Sequence, residues 1–206
     1  MTARTSHILL VFSAFLAGLV IFLGVILFAT QYQGAGPGPS AIGGPFKLID
    51  QNGKPITDED MKGRPFLVFF GYTHCPDACP ATMSDLTYAL RVQPAAIRRR
   101  VAVVFVTVDP RRDTPAVLRK WLNHYNTSFV GLTGTRAQLD VAEAQAGVPP
   151  APEEKETGKN YSVAHSSLLF AYSPDDRAHV VYAQGFKPSD YAHDVRILLR
   201  FTHRGA

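Results

Sequence analysis

Thiols are scarce in this chain, and so is any excess of charge. Its 206 residues hold two cysteines and a single tryptophan. A structural zinc site wants four ligands and usually more cysteines than that, so the thiol count argues against one. The formal net charge is +4, which is mild. The densest basic run, Arg98-Arg99-Arg100, falls where a helix is expected to end, and there cations meet the negative end of the helix dipole. It reads as a solvated helix end, and nucleic acid is not an expected partner. No internal repeat is present. Residues 31–45 (QYQGAGPGPSAIGGP) lack charge altogether, and their Gly, Pro and Ser content reads as a flexible tether.

Charge is also missing from Ile8 to Thr30, ILLVFSAFLAGLVIFLGVILFAT. At about 1.5 Å rise per residue such a helix crosses a hydrocarbon core of roughly 30 Å. A cleaved signal peptide has a shorter apolar region and a small-x-small cleavage site. Phe28-Ala29-Thr30 makes a poor one, so an uncleaved anchor is expected. Arg4 precedes the run and no Lys or Arg follows it until Lys47; the positive-inside bias therefore leaves residues 1–7 in the cytoplasm. Everything beyond the anchor then faces the periplasm of a bacterium, from a single pass through the inner membrane, or else the mitochondrial intermembrane space. Both compartments permit disulfides.

The remaining residues, 46–206, read as one domain. FKLID and KPIT flank Gln51-Asn52-Gly53, a strong hairpin signal. Pro65 to Tyr72 and Arg100 to Asp109 are apolar without alternation, as strands buried on both faces are. Between them Met83, Leu86 and Leu90 recur at helical spacing. Strand, helix, strand in this form predicts a parallel βαβ unit. Thr114-Pro115 opens the next helix as N-cap and first helical residue. A short strand over 129–132, a helix over 136–146 and a polar loop over 147–159 follow. Tyr161–Tyr172 and His179–Ala183 read as an antiparallel hairpin, and Ser189 to His203 as a last helix. Alternation of this kind means an α/β fold with a central mixed sheet flanked by helices. The order matches the thioredoxin-like fold with an extra N-terminal β-hairpin.

Cys75 and Cys79 fall between the first core strand and its helix, at the carboxyl edge of the sheet where ligands collect. Helix N-terminal amides lower thiol pKa values at such a place. If residues 75–79 are helical, positions i and i+4 share a face and the sulfurs converge. A structural disulfide, a redox-active dithiol and a pair of metal ligands all remain open. A bridge closing so short a loop restricts the unfolded chain little, and redox dithiols of this fold are normally C-x-x-C. Soft thiolates select Cu(I), and two of them with one imidazole can complete a copper site. Among the histidines, His7 flanks the anchor, His124 lies near a helix end, and His193 and His203 fall in the last helix. His165 lies inside the apolar run YSVAHSSLLFAY, on the side of Tyr161, Val163 and Leu169 by alternation. A buried imidazole needs a partner; a backbone carbonyl would serve as well as a metal. His74, beside Cys75, is the competing ligand.

These residues resemble the Sco (SenC) family, the membrane-anchored thioredoxin-like copper proteins of cytochrome c oxidase assembly. FFGYTHCPDACP resembles the family's metal-binding motif, VTVDPRRDTP and LTGT further signatures, and YSVAHSSLLFAYSPD the strand with the metal-binding histidine. The resemblance implies that Cys75, Cys79 and His165 bind copper, as Cu(I) or Cu(II). It also implies delivery of that copper to the binuclear centre of oxidase subunit II, or reduction of that subunit's cysteines. A copper chaperone as donor and a thioredoxin-like reductant are the other implied partners. Asp77 and Asp109 match acidic positions of the family and are expected in outer-shell or docking roles, with Asp113 a helix-end or loop residue. Ala164 stands where the family usually has Asp; loss of a carboxylate that orients an imidazole can change metal affinity by about 10–100-fold. No Pro stands just before Tyr161, where dithiol enzymes of this fold keep one, which weighs against the oxidoreductase. A thiol peroxidase is a third reading.

Overall fold

The computed structural model describes residues 15–23, 45–149 and 161–200. Seven strands form one sheet: β1 Lys47–Asp50, β2 Pro55–Thr57, β3 Phe66–Gly71, β4 Ala102–Thr107, β5 Val130–Thr133, β6 Leu169–Tyr172 and β7 Ala178–Tyr182. The helices are α1 at residues 15–23, α2 Ala78–Arg91, α3 Ala95–Arg98, α4 Pro115–Leu122, α5 Arg136–Gln145 and α6 Pro188–Leu198. Strand order is β2-β1-β5-β4-β3-β6-β7. This is the expected thioredoxin-like mixed sheet, with the hairpin added beside β5.

The parallel pairs β3/β4 and β4/β5 are the fully apolar strands. Every residue of β4 is buried, which is why its sequence shows no alternation. The hairpin turns as expected at Asn52-Gly53: Asp50 accepts from the amides of Asn52 and Lys54, both at 2.8 Å, and Gly53 takes φ +81°. Thr114 caps α4, accepting from Val117 N, with Pro115 in the first turn. One sheet face, carrying Phe69, Phe105 and Gly131, packs under α2 and α4; Phe105 lies 4.9 Å from Trp121. α6 closes over α2, joined by Gln93 Nε2 donating to the Ala192 carbonyl at 2.8 Å. On the other face α5 covers an apolar cavity of about 270 Å³ lined by Val68, Phe70, Val104 and Val106. It lies across the sheet from both cysteines.

The direction of the strands places the site. β3 and β4 both run toward one edge of the sheet, so the loops after Gly71 and Thr107 emerge side by side. β6 is antiparallel to β3 and begins at that same edge, where Leu169 pairs with Phe69.

Two expectations change. Tyr161–Tyr172 is not one strand: residues 161–168 are irregular and β6 starts only at Leu169. The ladder between β3 and β6 ends at the Phe69–Leu169 pair, two residues before β3 itself ends at Gly71. A helix does end at the Arg98-Arg99-Arg100 run as expected, but as the separate short α3 with Arg99 as C-cap: α2 stops at Arg91, and Pro94 stands at the start of α3. Of the expected anchor only residues 15–23 are described; they are helical and exposed. Among the described residues no helix is long and apolar enough to cross a membrane. The rest of the anchor, the tether through residue 44, residues 150–160, His7 and His203 lie outside the described residues.

Candidate metal centre

β3 delivers the first half of the site. After Gly71 the chain turns, with Cys75 N donating to the Tyr72 carbonyl at 3.2 Å, and α2 begins at Ala78 under the N-cap Asp77. Cys75 therefore precedes the helix rather than belonging to it, and the sulfurs do not meet by helical i, i+4 spacing. The turn folds Cys75 back onto the helix end, where its Sγ accepts from Cys79 N at 3.4 Å. Both thiols are free and buried, Cys75 at 7% and Cys79 at 0% exposure. Burial pushes the Cys79 thiol well above its ordinary value; a hydrogen bond from the Tyr72 backbone N–H opposes the effect and neighbouring Cys75 adds to it.

Gly71 makes room for this arrangement. A Cβ on it would stand 2.7 Å from Cys79 Sγ, 2.9 Å from the Phe69 ring and 3.1 Å from the Phe105 ring. The glycine inside the FFGYTHC stretch was visible in the sequence; its close approach to a sulfur 8 positions later was not.

The second half is His165. Its Nε2 lies 3.7 Å from Cys79 Sγ, while Nδ1 bonds the Ser166 carbonyl at 3.0 Å. A carbonyl can only accept, so Nδ1 carries the hydrogen and Nε2 keeps its lone pair toward the sulfurs. The backbone carbonyl considered for this imidazole is thus present on Nδ1, and Nε2 faces a ligand-type sulfur. The rings of Tyr72 and Phe69 meet it edge-on at 5.3 and 6.3 Å. Cys75, Cys79 and His165 bring one donor atom each to within 4.8 Å of one another. His74 is not part of this group: it is exposed, and its Nδ1 lies 3.1 Å from Thr73 Oγ1. Ala164 is exposed, on the irregular stretch that carries His165.

The acidic residues divide by depth. Asp77 is exposed and caps α2 through Ala78 N. Asp109 is buried at 3%, accepting from the Tyr161 hydroxyl at 2.7 Å and from Arg112 Nε. Asp113 is not an ordinary loop residue. It is fully buried, with Oδ2 accepting from Thr73 N (3.0 Å) and Thr107 Oγ1 (2.7 Å) and Oδ1 from Thr73 Oγ1 (2.6 Å). Burial raises its pKa, partly offset by these hydrogen bonds.

The three donors suit copper. Two sulfurs and an imidazole form a soft set, too few for closed structural zinc and sufficient for three-coordinate Cu(I). A dithiol and an imidazole converging at the strand edge of a thioredoxin-like sheet define a metal-binding rather than a purely structural thiol pair. The SCO1/SenC family profile matches residues 34–200, and the chain belongs to that family. A Stutzerimonas stutzeri protein named for copper binding is 41% identical over 136 residues, 65% of this chain and 66% of that one. Protein SCO2 of Saccharomyces cerevisiae mitochondria is 36% identical over 139 residues, 67% of this chain and 46% of that one. The matches thus span about half to two thirds of these relatives' lengths. Among solved structures, Bradyrhizobium japonicum ScoI with copper bound superposes with a TM-score of 0.70 at 36% identity, over 77% of this chain and 100% of that one.

Proposed function

We propose that the protein is a membrane-anchored copper chaperone that binds copper through Cys75, Cys79 and His165. It delivers that copper to the binuclear centre of cytochrome c oxidase subunit II during oxidase assembly. The observation that carries the reading is the convergence of two buried sulfurs and an available imidazole nitrogen within 4.8 Å, supported by the copper-loaded relative of the same fold. Copper would be held by the two thiolates and Nε2 as cargo, and the chain's own residues keep water away from the sulfurs and orient the ring. The uncharged run 8–30 supports a single-pass anchor in a bacterial inner membrane, with 31–45 as tether and 46–206 as a periplasmic domain. Exposed Asp77 beside the thiols suits a docking contact, and buried Asp109 an outer-shell one. A further copper chaperone upstream and a thioredoxin-like reductant complete the set of partners.

The second reading is a thiol–disulfide oxidoreductase acting on that subunit or another exported protein, with Cys75 and Cys79 as the redox pair. It is favoured by both thiols being free and neighbouring. Copper stoichiometry of the reduced chain separates the two. Wild type is expected to bind about one copper per chain, and Cys75→Ser or His165→Ala to lose tight binding. Unchanged copper in His165→Ala would remove that residue from the site, and dithiol activity without copper binding would favour the oxidoreductase.

A further inference from the structure

His165 stands on a segment that no strand pairs with, so something other than a β-ladder must hold its imidazole toward the sulfurs. At one end the segment is fixed by Leu169, paired with Phe69 and Tyr182. At the other end Tyr161 is held in three ways by the turn that follows β4. Arg112 Nη1 donates to the Tyr161 carbonyl at 2.8 Å, the Arg112 guanidinium lies 3.6 Å from the centre of the Tyr161 ring, and the Tyr161 hydroxyl donates to Asp109 Oδ1 at 2.7 Å. Arg112 Nε and Asp109 close the ring by pairing with each other. A second path runs through Tyr72: the same guanidinium lies 5.5 Å from its ring, and that ring meets His165 edge-on at 5.3 Å.

The turn is itself tied by hydrogen bonds. Asp113 N donates to the Asp109 carbonyl at 2.9 Å, and Asp109 N to Thr107 Oγ1 at 2.9 Å. The Asp113 side chain of this turn also holds Thr73, two residues before Cys75. One turn therefore grips both halves of the centre, the cysteine loop through Asp113 and the histidine segment through Asp109 and Arg112.

We propose that Asp109 and Arg112 are positioning residues for His165, clamping Tyr161 so that the imidazole is presented to the two sulfurs. This rests on the reading of Cys75, Cys79 and His165 as copper ligands, and it adds that the histidine's share of the binding is set from the β4–α4 turn. Donation from Nη1 to the Tyr161 carbonyl and from Nε to Asp109, together with stacking on the Tyr161 ring, requires a planar guanidinium, so lysine cannot replace Arg112.

The test uses the full chain with Arg112→Leu and Tyr161→Phe, each in the wild-type and His165→Ala backgrounds. The rate of Cu(I) transfer to a chelator is read alongside the ¹⁵N and N–H signals of the His165 ring in metal-free protein. Arg112→Leu is expected to speed copper loss about tenfold in the wild-type background, as loss of outer-shell support does. In the His165→Ala background it should change the rate by no more than about twofold, the scatter of independent effects. The Nδ1–H signal should broaden or exchange faster in Arg112→Leu. Tyr161→Phe deletes only the hydroxyl and leaves Asp109 paired with Arg112, so it reports even if Arg112→Leu folds poorly; a smaller shift in the same direction is expected. Equal acceleration in both backgrounds, or His165 ring signals unchanged in both variants, overturns the proposal. The ring signals decide it even if wild type binds no copper, an outcome that would defeat the copper reading separately.

Discussion

Replacing Gly71 with alanine tests whether the end of β3 was left bare to admit a sulfur. The new Cβ would stand 2.7 Å from Cys79 Sγ, whereas ordinary contact begins at 3.4 Å. The sulfur must therefore retreat by the difference, 0.7 Å, or the backbone must give. Retreat is hard, because Cys79, Phe69 and Phe105 are all fully buried. Metal–sulfur bonds are about 2.3 Å long, so such a shift amounts to roughly a third of a bond. Overpacking of this kind costs about 1–3 kcal/mol. If about 1.4 kcal/mol of it falls on the copper-loaded form, Cu(I) affinity drops about tenfold. The metal-free protein should melt lower by about 2–4 °C per kcal/mol, the scaling for a chain of this size. Competition against a chromophoric chelator reads the first effect and thermal unfolding the second. Gly131→Ala is the control: its Cβ would meet Leu122 and Leu118 of α4, not a sulfur, and it should cost stability while leaving copper affinity alone. Wild-type copper affinity in Gly71→Ala, with an unchanged melting temperature, would refute the reasoning.

Two pH dependences follow from burial. The Cys79 thiol is pushed up, so it is protonated in the metal-free protein at neutral pH and its proton must leave as copper binds. Apparent Cu(I) affinity should rise between pH 6 and 8 by about tenfold per unit for each proton displaced; a flat profile would count against a buried thiol ligand. Asp113 is raised above its unfolded value of 3.8, chiefly by burial. Its folded form prefers the proton, so its contribution to stability is fully present below that value and is lost as pH rises through the folded pKa. Asp113→Asn keeps an acceptor for Thr73 N–H and the Thr107 hydroxyl and can donate to Thr73 Oγ1. It is expected to melt at or above wild type at pH 7, the gap closing toward pH 4. A much lower melting point at pH 7 would mean that the charge itself holds the cysteine loop.

Much of this architecture was legible because it is local. Unbroken apolar runs announced β3 and β4 as strands buried on both faces, Asn52-Gly53 the hairpin, and Thr114-Pro115 the start of α4. Cys75 and Cys79 at a strand-to-helix junction, with a histidine in a distant apolar run, made these residues candidates, and the resemblance to the Sco family implied all three as ligands. Alternation predicts a regular strand from Tyr161 onward, yet a strand exists only where a ladder forms, and the ladder with β3 begins at Leu169, leaving His165 on irregular backbone. Asp113 reads in sequence only as a helix-end or loop residue and Arg112 gives no signal, because a buried carboxylate and a stacked guanidinium look there like ordinary polar residues of a turn.

The sequence by itself determined most element types, the βαβ order and the two sulfur donors, since propensity, capping and periodicity act between near neighbours. Only the tertiary structure decided which imidazole meets the sulfurs, that Cys75 reaches Cys79 by a turn rather than a helix, and that the turn after β4 supports both sides of the centre. Those outcomes depend on contacts spanning 40 residues from Thr73 to Asp113, 52 from Asp109 to Tyr161 and 86 from Cys79 to His165, and they exist only once antiparallel β6 has been laid against β3.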